Sequence, residues 1–311
     1  MNPLYLMISF SSSLLLTMIL TRIWIKKVRN KYKGIDVHKE DKPEVAEMGG
    51  IPLLIGFLTP LIFFSDAQLI ALTVFLVSLV GIVDDISGLS HSEKIVLPIL
   101  ASIPYSVFGD LSPWIDFPFL LPVYFGVFYK LLLVPLWISA SANSINVMAG
   151  FNGLEAGMCL IASFFLMPIA IDTGNLTSAL VLSSFMGSLV AFLYYNRYPS
   201  RVFPGDVGTF GMGATIALLS IEMKVEFIAF LLLLPHFTDF FMKSTSLFKG
   251  RERHGHVILK GKYLVPPKHL SILHVPLRIA QMTERSLVLL MYSVEVEMGI
   301  LALFTYYFLF S

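Results

Sequence analysis

Long apolar runs alternate with short polar ones along the whole chain. A membrane-crossing helix needs about 20 mostly apolar residues, with about 17–25 tolerated. On that basis the pattern predicts about ten spans, near residues 3–25, 50–65, 68–84, 94–109, 126–147, 154–172, 177–195, 208–222, 225–246 and 286–310. The runs lack the apolar–polar alternation of a barrel strand, so helices are the expected spanning form. VILKGKYLV (257–265) stands apart and reads as strand–turn–strand. The predicted fold class is therefore an all-α polytopic membrane protein with its active site on the cytoplasmic face and a small β-hairpin in the ninth loop. No internal repeat is evident, and residues 1–311 read as a single integral membrane domain.

Composition supports this reading. The chain is 56% hydrophobic and 14% charged, whereas soluble domains have about 45–50% apolar and about 25% charged residues. A net charge of +1 and this distribution give no nucleic-acid signature. Cys159 is the only cysteine, which excludes an intramolecular disulfide and a cysteine metal cluster. The first apolar run has no basic leader segment and no small-residue cleavage site, so it reads as a retained helix.

Charge placement sets the orientation. Of the odd-numbered loops, near 26–49, 85–93, 148–153, 196–207 and 247–285, the first and ninth gather most of the Lys and Arg, Lys94 follows the third and the seventh holds Arg197 and Arg201, while the even loops are nearly free of them, with Lys224 the clear exception and Lys130 close by. The positive-inside rule makes the odd loops cytoplasmic and both termini external. The expected setting is the cell membrane, or the endoplasmic reticulum if the source is eukaryotic.

Nearly all the chemistry-bearing residues fall on that face, in four groups. GIVDDISGLSHSEKI (81–95) carries Asp84, Asp85 and Lys94. Paired acids at a membrane border are costly unless solvated, paired or metal-bound, though a solvated turn with a positive-inside lysine accounts for the motif alone. SANSINVMAGFNGLEAG (141–157) sets Asn143 and Asn146 on one helix face, with Asn152 in a glycine turn where it could read a base or sugar. An amide oxygen suits a hard cation; helix capping and interhelical hydrogen bonds are the plainer use of such residues. NRYPSRVFPGDVGTFGMG (196–213) places Asp206 at a helix start, either as an N-cap or beside free N–H groups that favour anions, and offers Phe203 as a stacking face. KGRERHGH (249–256) packs Arg251, Arg253, His254 and His256 into one cationic loop suited to phosphate and carbonyl oxygens. Together they fit a metal-bound, phosphate-rich cytoplasmic substrate reacting with something in the lipid.

In these motifs the chain resembles the polyprenyl-phosphate N-acetylhexosamine-1-phosphate transferases, glycosyltransferase family 4. INVMAGFNGLEAG and YPSRVFPGD are the most specific carriers, and the similarity runs from AEMGG (46–50) to about residue 267. Within the family it looks most like the dolichyl-phosphate N-acetylglucosaminephosphotransferase branch, archaeal in its short ninth loop. The resemblance implies transfer of N-acetylglucosamine-1-phosphate from UDP-N-acetylglucosamine to a polyprenyl phosphate, with UMP released. It implies Mg²⁺, with Mn²⁺ as a substitute, on Asn146 and Asp206. Lys94 would bind phosphate, and Asp84 and Asp85 match the family's acidic pair; Asp85 is expected to order or deprotonate the acceptor. Asn152 and Phe203 would recognise uracil, with Glu47 assisting. Asn143 joins the substrate-binding set, and Arg251, Arg253, His254 and His256 would read the sugar and its phosphate. The implied partners are the UDP-sugar, the lipid phosphate, the bilayer and a second copy of the chain. Two other readings stay open: the same reaction on another UDP-sugar, such as UDP-N-acetylmuramoyl-pentapeptide, and an ion-coupled transporter, for which Glu295 and Glu297 in the last span are the relevant acids.

Overall fold

A computed structural model describes residues 3–28, 31–117, 120–247, 257–267 and 271–310. The described residues form a helical bundle with three small two-stranded antiparallel sheets. Among the described residues six helices are long and apolar enough to cross a membrane, or seven if one bent pair is taken as a single span.

The first helix, α1 (Pro3–Val28), is built inside out relative to a helix of a soluble protein. Its buried residues are Ser9, Ser13, Thr17 and Thr21, while many of its Leu, Ile and Met side chains face outward. Lipid removes any gain from burying those apolar side chains, so small polar residues make the helix contact. The buried stripe lies against α8 (Leu176–Asn196), where Ser13 Oγ donates to Ser184 O at 2.6 Å and Thr17 Oγ1 to Ser188 Oγ at 3.1 Å.

The centre of the bundle is α9 (Gly205–Glu222), buried at every position from Val207 to Ile221. Two glycines let its neighbours approach. A Cβ on Gly81 of α3 (Gln68–Ser87) would lie 2.4 Å from Asp206 O. One on Gly213 of α9 would lie 2.5 Å from the Ser141 carbonyl of α6 (Val134–Met148). The C-terminal ends of α3 and α6 are thereby held against the N-terminal end of α9, where the acidic and amide motifs meet.

Several expected spans differ in shape. The segment near 50–65 is a short helix, α2 (Gly50–Leu58), followed by 3₁₀ turns at Pro60–Phe63 and Ser65–Ala67. The segment near 94–109 is two helices, α4 (His91–Ala101) and α5 (Ile103–Phe108), broken at Ser102 before Pro104. The segment near 225–246 divides into α10 (Glu226–Leu232) and α11 (Leu234–Leu247), bent by 69°. Pro235 in the first turn of α11 supplies no N–H to continue the preceding ladder. The remaining long helices, α7 (Leu154–Asp172) and α13 (Glu284–Thr305), follow the sequence expectation, with the short α12 (His274–Ile279) between α11 and α13. In α13, Glu295 is buried and Glu297 is exposed.

The predicted hairpin is present, with β5 (Ile258–Lys260) paired to β6 (Tyr263–Val265) across a two-residue turn containing Gly261 at φ +59°. Two further pairs escaped the sequence reading. One, β3 (Trp114–Ile115) with β4 (Val123–Tyr124), lies before α6. The other, β1 (Lys33–Ile35) with β2 (Glu44–Ala46), folds the first loop back over the bundle. From there Phe203 N donates to Ala46 O at 2.8 Å and Gly49 N to Phe203 O at 2.8 Å, tying the first loop to the segment that precedes α9.

Candidate active site

Where α3, α4, α6 and α9 converge, the structure assembles Asp84, Asp85, Lys94, Asn146 and Asp206. The start of α4 is fixed by a capping box: Glu93 N donates to Ser90 Oγ, and Ser90 N donates to Glu93 Oε2 at 2.8 Å. This places Lys94 in the first turn, over the acids. Its Nζ pairs with Asp84 and lies 3.2 Å from Asp206 Oδ2. Asp84 is buried, and its other oxygen accepts from Leu89 N at 2.8 Å. Asp206 is the more accessible acid, with 29% of its side chain exposed against 3% for Asp84. Asn146 Nδ2 donates to Asp206 Oδ1 at 2.7 Å and to Thr209 Oγ1 at 2.9 Å.

Asp85 does something the sequence did not suggest. Its Oδ1 accepts from Asp206 N at 2.8 Å and its Oδ2 from Val207 N at 3.1 Å. An acid from α3 thus caps the first turn of α9. Asp206 is not the N-cap; that position is Pro204, which provides no side-chain bond. The free N–H groups expected beside Asp206 are correspondingly occupied by Asp85. Glu47 lies close by in the first loop, where burial pushes its carboxyl above the usual carboxylate range.

The other expected residues take varied places. Asn143 is buried, and its Nδ2 donates to Lys94 O at 2.8 Å and Ser139 O at 2.9 Å, so it anchors α4 to α6 behind the lysine. Phe203 lines the cavity described below. Asn152 is buried with its Nδ2 donating to Asp36 Oδ2 at 2.9 Å and its N–H to Glu284 Oε1 at 2.8 Å. Arg251, Arg253, His254 and His256 lie outside the described residues.

A cavity of about 330 Å³ opens beside the cluster, lined by Lys94, Asn146, Phe203 and Asp206 among others. It also takes Asp36 and His38 from the first loop, with His38 stacked on Phe151 at 4.6 Å and 16°. Apart from Glu47 near its end, sequence reasoning treated that loop as a carrier of positive charge, and nothing in the local pattern of Asp36 and His38 points inward. Asn196 is a second omission, although it opens one of the motifs. Its Nδ2 donates to Val202 O at 2.8 Å, and its buried Oδ1 finds no partner among the described residues. A lone amide at the end of an apolar span was the available signal. Glu155 is also buried at the cavity, accepting from Gly150 N at 2.6 Å.

Three carboxylates face one ammonium here, leaving an excess of negative charge in a largely desolvated place. With its Nδ2 committed, Asn146 keeps Oδ1 as an open acceptor beside the Asp206 carboxylate. Hard oxygen donors and net negative charge are the requirements of a small divalent cation. A second group is less suited. Asp36, His38 and Glu284 bring ligand atoms within 4.8 Å of one another. There Lys39 Nζ already lies 3.0 Å from Asp36 and 2.8 Å from Glu284, so an ammonium supplies the positive charge.

Comparison with known proteins bears on the same segment. The sequence profile of glycosyl transferase family 4 matches residues 67–224, which run from α3 to α9 and contain the whole acid–amide cluster. A Saccharolobus solfataricus protein carrying the provisional name UDP-N-acetylglucosamine–dolichyl-phosphate N-acetylglucosaminephosphotransferase is 31% identical over 295 residues, 91% of each chain. The Dictyostelium discoideum enzyme of that name is 28% identical over 312 residues, 82% of this chain and 76% of its own. The phospho-N-acetylmuramoyl-pentapeptide-transferase of Dictyoglomus thermophilum is 30% identical over 244 residues, 74% of this chain and 77% of its own.

Proposed function

The chain belongs to glycosyl transferase family 4, and from that premise we propose that it transfers N-acetylglucosamine-1-phosphate from UDP-N-acetylglucosamine to a dolichyl-type polyprenyl phosphate, releasing UMP. An oxygen of the acceptor phosphate forms a bond to the sugar-linked phosphorus. The bond from that phosphorus to the bridging pyrophosphate oxygen breaks, and the oxygen leaves with UMP. The observation that carries this reading is the cluster of Asp84, Asp85, Lys94, Asn146 and Asp206, of which Lys94, Asn146 and Asp206 line one cavity, supported by near full-length similarity to a relative of that name.

Lys94 binds phosphate, held at a fixed height by Asp84 and by Asn143 beneath it. Asp206 and Asn146 Oδ1 would hold Mg²⁺, which would supply charge neutralisation on the pyrophosphate and leaving group. Asp85 is a positioning residue: both of its oxygens accept backbone N–H groups of α9, and so it aims Asp206. A general base is not required. The second pKa of a phosphate monoester is near 6, so the acceptor is mostly dianionic at neutral pH and needs its charge screened. Phe203 offers a face for the uracil ring.

The short α2, the α4–α5 pair and the glycine-rich α9 complete, with the bent pair α10–α11, a bundle of ten membrane segments. The basic loops support a cavity on the cytoplasmic side. A second reading, transfer from UDP-N-acetylmuramoyl-pentapeptide, draws on the similarity to the Dictyoglomus enzyme.

The test is transfer of labelled sugar-phosphate to a polyprenyl phosphate in detergent, with and without Mg²⁺ and across several UDP-sugars. Lipid-linked product and UMP from UDP-N-acetylglucosamine, lost on chelation and restored by Mg²⁺, are expected. Product only from another UDP-sugar would keep the reaction and overturn the donor. No product from any donor would remove the transferase reading.

A further inference from the structure

A second concavity, about 550 Å³, lies between the end of α8 and the start of α13. Its lining includes Arg197, Arg201, Arg285, Tyr194, Tyr198 and Leu289. All three arginines are exposed. Among the described residues no ion pair involves any of the three, so none of the described carboxylates neutralises them. The nearest acid in sequence, Glu284, is buried and already bound to Lys39 and Asn152 N–H. Two of the guanidinium groups are held in place. Arg201 lies 5.0 Å from the Tyr194 ring centre and 4.8 Å from that of Tyr195, and its Nη2 donates to Tyr194 O at 3.1 Å. Arg197 lies 5.5 Å from the Tyr194 ring centre. Ordered arginines surrender less side-chain entropy on meeting a phosphate.

This groove is separate from the anionic cavity. Asp36 lines the cavity, Asn152 and Tyr198 line the groove, and the Asp36–Lys39–Glu284–Asn152 cluster lies between them, with Lys39 Nζ 3.8 Å from the centre of the Tyr198 ring. The groove sits at the ends of two of the six membrane-length helices. Tyr194 (47% exposed) and Leu289 (53% exposed) give it an apolar flank along those helices. Unpaired cations above an exposed aromatic and aliphatic flank match a phosphate headgroup with its acyl chains alongside. Basic pockets between membrane helices and interfacial tyrosines are the physical form of such sites.

We propose that the groove formed by Arg197, Arg201 and Arg285 binds the phosphate headgroup of an anionic lipid of the surrounding bilayer. The occupant is a lipid rather than a free phosphate because the apolar flank continues from the cation cluster along the helices. It is a bilayer lipid rather than the acceptor because the buried ionic cluster separates it from the cavity that holds Lys94 and Asp206. The proposal stands independently of the transfer reaction.

The experiment uses the full chain purified in detergent, titrated with phosphatidylglycerol, phosphatidylcholine, a polyprenyl phosphate and glycerol phosphate. Retained lipid is read by native mass spectrometry, and stabilisation by thermal melting. Phosphatidylglycerol should be retained and raise the melting temperature, and phosphatidylcholine should do neither. An arginine near an anionic headgroup contributes about 1 kcal/mol, so each of Arg197→Gln, Arg201→Gln and Arg285→Gln should weaken phosphatidylglycerol binding about fivefold. Melting without lipid, run on each single variant, separates this loss from misfolding. Equal retention of phosphatidylcholine, or unchanged phosphatidylglycerol binding in all three variants, would overturn the proposal. Displacement of phosphatidylglycerol by polyprenyl phosphate would reassign the groove to the acceptor, and equally tight binding of glycerol phosphate would make it a soluble-phosphate site.

Discussion

The acidic cavity and the arginine groove lie on either side of one buried ionic cluster, and they handle charge in opposite ways. In the cluster beside the cavity each of the three carboxylates has a partner in the chain: Asp84 has Lys94 and Leu89 N–H, Asp85 has two N–H groups of α9, and Asp206 has Lys94 and Asn146. In the groove two of the three guanidinium groups rest on tyrosine rings, and among the described residues none of the three is paired with a carboxylate. Internally paired charge fixes geometry, because removing one partner strands the other in a poorly solvated place. Unpaired surface cations fix little within the chain and are available to a ligand from outside. The contrast teaches that the net sign of a region says less about its role than whether the chain has already answered its charges.

The largest way to break this contrast is to remove the cluster between the two sites. Lys39 is nearly buried between Asp36 and Glu284, with their side chains 11%, 3% and 3% exposed. Lys39→Met should destabilise the protein by about 3–5 kcal/mol, seen as a lower melting temperature in detergent; an unchanged value would mean that the cluster is solvated and divides nothing. Next in size is Asp206→Ala, which should lower kcat/KM for sugar-phosphate transfer by about a hundredfold or more while the protein stays folded. Loss of less than tenfold would move the metal and phosphate chemistry elsewhere.

Asp85→Asn sharpens the comparison, because it separates a cap from a base. An asparagine still accepts one of the two α9 N–H groups, so activity should fall about tenfold and stability by about 1 kcal/mol. Complete inactivity with an unchanged melting temperature would restore Asp85 to a proton-transfer role. The smallest effect is expected far from both sites. Ser13→Ala in α1 removes one interhelical hydrogen bond and should cost about 0.6 kcal/mol, with no change in activity.

The legibility of the site varied with the range of the interactions that build it. The apolar runs gave most of the helices, because a span is a local property of about 20 consecutive residues. The segments that broke were short or held a proline, as at Pro104 and Pro235. Lys94, Asn146 and Asp206 were legible because polar residues at the ends of apolar runs are costly and therefore conspicuous. Asp36 and His38 were hidden in a polar loop, where nothing local distinguishes a residue facing a cavity from one facing water.

By itself the sequence determined a multi-pass helical protein, the polar residues gathered at the ends of its helices, and the motifs that place it in its family. The tertiary structure alone decided what each charged residue does. Asp84 and Asp85 are adjacent in the chain, yet one grips Lys94 and the other caps a helix that begins 120 positions later, with Asp85 and Asp206 121 residues apart. Three arginines, two in one loop and one on α13, become a single cationic groove only when α8 and α13 end side by side. Helix formation needs only neighbours along the chain. The pairing of charges depends on which helix ends the packing of glycines, serines and apolar surfaces brings together, and no local pattern encodes that.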